Sequence, residues 1–511
     1  MKTHRWRRWA VVGLTGLVLW AAMLWILPQA RVVQAAGPYF VKPAGSGTAC
    51  TQAAPCTLGA ALIKAVNGDS IYLGGGTYTG VGAGAAFSIT KSIALYGGWN
   101  GAATGAVVRD ARAYTTTLSG QLAQRVVFIG PAVTVTLEGL GIMHGKAIGE
   151  AGGLYASGVN LTLREVRLTE NYAGGAERCR GGAVSLLGGN LVVEGCWFER
   201  NGSWGSTFSV GGAVAVSQTL DISITGSTFR ENDAWQGSGL DVSGAGQEQT
   251  TLLVRGNTFI SNGLGLSRLG SGGYAGALQV HGATVRIEGN TFRGNRGSNR
   301  SGVMEIDHCD LTLNDNWLLG NQAWDASALF VYQLTNCQVV NNVIAGGTCS
   351  DTGCSAIRVA ADACQFAHNT IAGNKGASAI LTYGRALTLT NTILVSHTLG
   401  ISVGGWSRVN MEGTLWGAGA WATGTWWSGQ GTVNGGTINI VGLPEFVNPA
   451  AGDYHLLPSS AAIDAGVFTG VAVDIDGQAR PVGAGYDLGA DEYVPPGVRY
   501  RAYVPAVVRR R

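Results

Sequence analysis

From about residue 150 to residue 400, apolar and polar positions alternate with a period of two rather than 3.6. Val285 and Ile287, Leu311 and Leu313, and Leu387 and Leu389 each bracket a polar residue. Such alternation predicts short strands with one face buried. The strands come in blocks, and each block carries a landmark ending in Asn. It stands at Thr169-Glu170-Asn171, Glu199-Arg200-Asn201, Arg230-Glu231-Asn232, Ile260-Ser261-Asn262, Arg293-Gly294-Asn295 and Leu319-Gly320-Asn321, and returns at Ala372-Gly373-Asn374. The first five gaps run from 26 to 33 residues, and the last spans two blocks. A second Asn landmark lies just upstream, at Asn257, Asn290, Asn316, Asn342 and Asn369. Repeats of this length, built of short strands and tight turns without a helix, predict an all-β fold: a single-stranded parallel β-helix, a solenoid with one coil per repeat. Coils stack at the interstrand spacing of ~4.8 Å. Asn suits a fixed turn because it tolerates the left-handed conformation, and stacked Asn side chains are expected to bond from coil to coil. Ahead of the repeats, Leu58, Leu62, Ile63 and Val66 give Thr57–Val66 the spacing of a short amphipathic helix, placed to cap the open end of the stack.

Candidate chemistry follows from the strand after the Gly-rich turn of each repeat. If its apolar pairs point inward, the residues between them form outward columns. One column reads Ser185, Ala215, Asp241, Gln279, Glu305, Phe330, Arg358, and its neighbour Leu187, Ser217, Ser243, His281, Asp307, Tyr332, Ala360, Tyr383. The middle coils thus gather three acids, a His and an Arg, with Gln279, Phe330, Tyr332 and Tyr383 as candidate ligand contacts. Aromatic faces stack on sugars and carboxylates bond hydroxyls, so the strip suits carbohydrate. Asp241 and Glu305, two coils apart, are separated by roughly 9.6 Å at their backbones, compatible with an inverting glycosidase pair. For a lyase, His281 and Arg358 are the candidate bases. Trp406, Trp416, Trp421, Trp426 and Trp427 form either a sugar platform or packing over the last coil, and packing is the expected role.

Composition narrows the classes. Gly makes up 81 of 511 residues and only 13% are charged. There is no collagen period, the apolar content is too high for a disordered chain, and Gly is too frequent for a coiled coil. The formal charge of +3 becomes −2 once the five basic residues of the first 35 are set aside. No basic stripe crosses the body, so nucleic acid is not an expected partner. Nine Cys are present. Cys50 with Cys56 and Cys349 with Cys354 bracket short loops and are expected to be disulfides of an oxidising compartment. The other five cannot be paired from sequence. Cys337 and Cys364 occupy matching places in neighbouring repeats, where they could pack as thiols. No CxxC pair suggests zinc, and no metal site is expected. Asp474-x-Asp476-Gly477 has the start of a calcium loop but lacks its later ligands, and is expected to be a turn. No cofactor is therefore expected, calcium being the alternative.

At the start, Lys2, Arg5, Arg7 and Arg8 precede an apolar run from Ala10 to Leu27 and the small-residue stretch ending at Ala35-Ala36. Residues 1–36 thus predict an export signal or an uncleaved membrane anchor. Tyr39-Phe40-Val41, the Cys50–Cys56 loop and Gly68-Asp69-Ser70-Ile71-Tyr72-Leu73 resemble the opening of exported bacterial right-handed parallel β-helix proteins, the pectin-lyase-like group. Pro444-Glu445-Phe446-Val447, Gly452-Asp453-Tyr454-His455-Leu456, Ala462-Ile463-Asp464-Ala465-Gly466 and Tyr486-Asp487-Leu488-Gly489-Ala490-Asp491-Glu492-Tyr493 resemble the closing segment called choice-of-anchor Q. The resemblance implies cap and first coils over 37–130, repeats over 131–405, an irregular β closing segment over 406–494, then a Pro linker and basic tail over 495–511. The closing motif says little about chemistry; with the outward strip beside it, the expectation is an exported, monomeric surface protein that binds polysaccharide or another envelope ligand along its side. The paired-Asp and calcium-and-base motifs of catalytic members are missing, so binding without catalysis is the first expectation. A polysaccharide lyase or glycoside hydrolase is the second, and a structural or adhesive surface protein the third.

Overall fold

A computed structural model describes residues 37–497 apart from 81, 83, 247–248 and 265–273. The export segment 1–36 and the tail from 498 lie outside the described residues. A middle coil has three short strands, one per face. One such coil runs Leu278–His281, Thr284–Glu288, Thr291–Arg293, and the next Met304–Asp307, Asp310–Asn314, Trp317–Leu319. Successive coils pair in parallel and in register, Leu278 on Met304, Val285 on Leu311, Phe292 on Leu318. About 14 turns build an all-β parallel solenoid, and the pairing runs from Tyr39–Val41 through Asn439–Ile440.

The alternating apolar residues fill the interior. Phe198, Phe229, Phe259 and Phe292 are fully buried and stacked, with centroids 4.6, 4.6 and 4.8 Å apart. That spacing is the interstrand distance itself, so identical residues in successive coils stack face on face. The Asn landmarks form two buried ladders. Asn262 donates from Nδ2 to the Phe229 carbonyl and to Asn295 Oδ1, both at 2.9 Å, while its Oδ1 accepts from the Asn232 amide and side chain. Asn290, Asn316, Asn342 and Asn369 repeat the pattern at the upstream turn. One expectation needs correcting. At the first landmark the left-handed residue is not the Asn but the one before it: Glu170, Arg200, Glu231, Ser261, Gly294, Gly320 and Gly373 all have φ between 51° and 62°. The bend is taken by the preceding residue, which leaves each Asn side chain aimed along the stack.

Helix α1 spans Leu58–Lys64, with Thr57 Oγ1 accepting from the Ala60 amide as its cap. Leu58, Ala61 and Ala65 are buried against the first coil, whereas Ile63 and Val66, expected on the packed face, stand exposed. Val66 lies beyond the last helical residue, and Ile63 falls on the helix face away from Leu58 and Ala61. At the other end the closing segment lies along the side of the stack. Phe446, Tyr454, Leu456, Ala462, Leu488 and Ala490 share a second core with Leu319, Val343, Ala372, Ile393 and Leu415 of the third face. Trp416 is buried and stacked on Trp426, with Trp427 beside it, and Trp421 meets Phe446 edge-on. Four of the five tryptophans therefore serve packing; Trp406 alone is open, at 94% exposure. The Asp474 loop is a turn, its Oδ1 accepting from the Asp476 and Gln478 amides.

Cys50–Cys56 and Cys349–Cys354 are bridged, as the spacing suggested. A third bridge, Cys337–Cys364, joins neighbouring coils, so these two are not packed thiols. Matching positions in adjacent coils bring the two Cα atoms to 4.5 Å, within bonding reach. Cys179, Cys196 and Cys309 are free and buried.

Candidate functional site

The outward columns are in register through Arg358 and Ala360, and Tyr383 follows the next strand, Ser378–Thr382. Ser185, Ala215, Asp241, Gln279, Glu305, Phe330 and Arg358 are consecutive ladder partners, and so are Leu187, Ser217, Ser243, His281, Asp307, Tyr332 and Ala360. The first column is nevertheless not a solvated strip. Asp241 is 8% exposed and Glu305 3%. The turns that precede the strands stand up beside them as a wall: Arg178–Arg180 pairs with Phe208–Val210, and Val210 bridges to Gln236. Wall and strands enclose a cavity of about 250 Å³. Tyr155, Arg180, Phe208, Gln236, Asp241 and Gln279 line it, and His281 and Asp307 stand at its edge.

Burial sets the electrostatics. It pushes the Asp241 carboxyl up to about 7; Arg180 opposes this and Glu305 reinforces it. Asp241 therefore keeps its proton well above the usual carboxylate range, as a proton and hydrogen-bond donor facing the cavity at mildly acid pH. Gln279 Oε1 is buried with no hydrogen-bond partner among the described residues, an acceptor available to a ligand. Burial also raises Glu305, with the Arg300 guanidinium, 2.7 Å from Oε1, pulling the other way.

Several candidates are not brought together. Glu305 lies under Arg300 and does not line the cavity, so Asp241 and Glu305 do not share a substrate space as an inverting pair. Phe330 is covered by Arg300 and Arg358, at 5.6 and 5.5 Å from its ring, and offers no face to a sugar. Arg358 pairs with Asp325 and lies over Tyr383. It sits three coils from His281, roughly 14 Å by ladder spacing, so the two cannot serve one base site. Tyr332 remains 41% exposed and open for stacking, whereas Tyr383, 54% exposed, carries Arg358 over one face of its ring. His281 Nδ1 lies 3.1 Å from Asp307 Oδ2, and His308 Nδ1 2.6 Å from Asp307 Oδ1.

Sequence reasoning missed Arg180, Arg300, Asp325 and His308. Each belongs to a turn next to an aligned strand, Arg180 and Arg300 just ahead of the pairs Gly181-Gly182 and Ser301-Gly302. Their place just ahead of the aligned strands is visible in the sequence, but the turns differ in length, so no column sets the two arginines over the acidic coils.

The class defined by this geometry is a right-handed parallel β-helix with a walled side groove. Residues 127–292 match the family described as right handed beta helix region. Among solved structures, the chain is similar to the pectate lyase Pel9A at 14% identity and a TM-score of 0.32, covering 90% of this chain and 97% of that one. It is also similar to tailspike protein 3 of bacteriophage CBA120 at 12% identity and a TM-score of 0.35, covering 79% and 61%. No curated protein sequence matches. Among the described residues, no helix is long and apolar enough to cross a membrane.

Proposed function

We propose that the protein is an exported surface protein whose side groove holds a polysaccharide or another envelope glycan without cleaving it. One observation carries this reading: a polar cavity beside a solenoid strand, flanked along the same column by the exposed ring of Tyr332. Its volume of about 250 Å³ is below the usual ~300–1,000 Å³ of small-molecule pockets, which favours part of a longer chain over an enclosed small ligand. Asp241, Arg180 and Gln279 offer hydroxyl-bonding groups, while Tyr155 and Phe208 supply apolar walls. The separation of Asp241 from Glu305 weighs against hydrolysis. Three disulfides support an oxidising, extracytoplasmic location.

The second reading is catalysis, favoured by the protonated Asp241 carboxyl in a cavity, a general acid poised near neutrality. A glycan array on the protein, followed by assay of retained glycans for new reducing or unsaturated ends, separates the readings. Retention without products, weakened by Tyr332→Ala and Gln279→Ala, is the expected result. New ends abolished by Asp241→Asn would establish the enzyme instead, and absence of any retention would remove both.

A further inference from the structure

We infer that His281, Asp307 and His308 form a binding site for a late first-row divalent cation, Zn²⁺ being the biological representative, at the edge of the side groove. The ligating atoms of the three all lie within 4.8 Å of one another. Two of the seven His of the chain converge on one carboxylate from different coils, one on each oxygen.

The backbone explains the convergence. His281 and Asp307 are ladder partners on the outward face of adjacent coils. His308 follows Asp307 directly, and in a continuing strand it would point to the opposite face. It instead takes a left-handed conformation, φ 50°, as Gln218, Gly282 and Gln333 do at the same turn of other coils. That turn brings its ring back beside His281, the two centroids 5.1 Å apart and edge-on. Two imidazoles and a carboxylate are the donor set of zinc and its neighbours, whereas Ca²⁺ and Mg²⁺ prefer oxygen alone. The two His side chains are half open to solvent and Asp307 is 28% exposed, so small rotations of the rings can bring the donors to the ~2.0–2.2 Å of zinc ligation. Three protein ligands leave at least one position free. His281 and Asp307 also line the cavity, so that position is available to a hydroxyl or carboxylate of whatever occupies the groove.

A second His-acid cluster, His455, Asp476 and Asp491, is the weaker candidate. His455 already has both ring nitrogens engaged by Asp453 and Asp476, and Asp491 accepts from the Leu456 amide. It serves as the internal control.

The test titrates the protein with Co²⁺, read by visible absorption, and with Zn²⁺ by calorimetry. One equivalent is expected to bind, with excess Ca²⁺ failing to compete. His281→Gln, His308→Gln and Asp307→Asn should each lower affinity at least about 10-fold, since even outer-shell partners of a metal are worth ~10–100-fold; His455→Gln should leave it unchanged. Circular dichroism of each variant confirms that it folds, and the near-isosteric Asp307→Asn keeps the test valid should a His variant not. Absence of stoichiometric Co²⁺ or Zn²⁺ binding overturns the inference. So does binding that survives in Asp307→Asn or is lost in His455→Gln.

Discussion

Replacing Asp241 by Asn isolates the consequence of burying an acid in the groove wall. The folded chain holds the Asp241 proton to about pH 7, while an unfolded chain releases it near ~3.9. Between these values the folded state binds more protons, so the contribution of this group to stability is greatest at acid pH and falls as pH rises to about 7. Three pH units at about 1.4 kcal/mol each give about 4 kcal/mol as the full cost of the ionised carboxylate. Asn keeps the shape and removes the charge. Urea unfolding of wild type and Asp241→Asn, compared at pH 4, 6 and 8, should show midpoints close together at pH 4, with the variant progressively more stable above it. A difference that stays flat from pH 4 to pH 8, or that moves toward wild type, would refute the assignment of a neutral buried carboxyl. It would remove at the same time the proton donor on which the catalytic reading depends.

Other features predict equally direct outcomes. Asn262→Ala removes the acceptor of the buried Asn232 amide and a donor to the Phe229 carbonyl, while Asn232 Nδ2 keeps the Phe198 carbonyl, and should cost about 2 kcal/mol or more at ~1–3 kcal/mol per orphaned group, read as a lowered urea midpoint. Arg480 and Glu492 form a fully buried pair at 2.7 Å, with Arg480 also donating to the Gly489 and Ala490 carbonyls. Arg480→Met should cost about 3–5 kcal/mol and loosen the closing segment, detected as faster hydrogen exchange over residues 446–492. With six Cys bridged and three free and buried, a thiol reagent should find none in the native protein and three after unfolding without reductant.

The fold was legible because two signals agree along the chain. Period-two alternation says which residues point inward, and the recurring Asn says where each coil turns; together they pin the register, since a slip of one residue would turn Val280 outward and Gln279 inward. Hence both outward columns could be written down in full. What covers them could not. The wall residues Arg180, Gln236, Arg300 and Asp325 sit in turns of unequal length, where no period fixes position. Asp241 and Glu305, expected on an outward face, are therefore found buried, and Phe330, expected as a ligand contact, is covered by two guanidiniums. The Cys337–Cys364 bridge was hidden for a different reason: equal register makes a bridge possible but does not distinguish it from two packed thiols.

The turns supply what the strands alone would make unstable. A stack puts same-column residues roughly 4.8 Å apart per coil, so neighbouring acids in a walled groove would repel at low dielectric. Neutral Gln279 separates Asp241 from Glu305, and the turns provide countercharges: Arg180 acts on Asp241, Arg300 on Glu305, and Asp325 on Arg358. Arg300 also lies over Tyr274 and Phe330, 4.9 and 5.6 Å from the rings, which fixes the guanidinium where Glu305 needs it. Arg300→Gln should thus strand a carboxylate that is 3% exposed and whose Oε2 already lacks a partner among the described residues, at a cost of about 3 kcal/mol or more. Glu305→Gln alone should cost less, because an amide needs no countercharge, and the double variant should recover much of the loss. Urea midpoints at pH 7 complete the double-mutant cycle. Additive effects would mean that Arg300 stabilises the wall through its ring contacts alone, and that the pairing of turn with strand is not what permits charge in this groove.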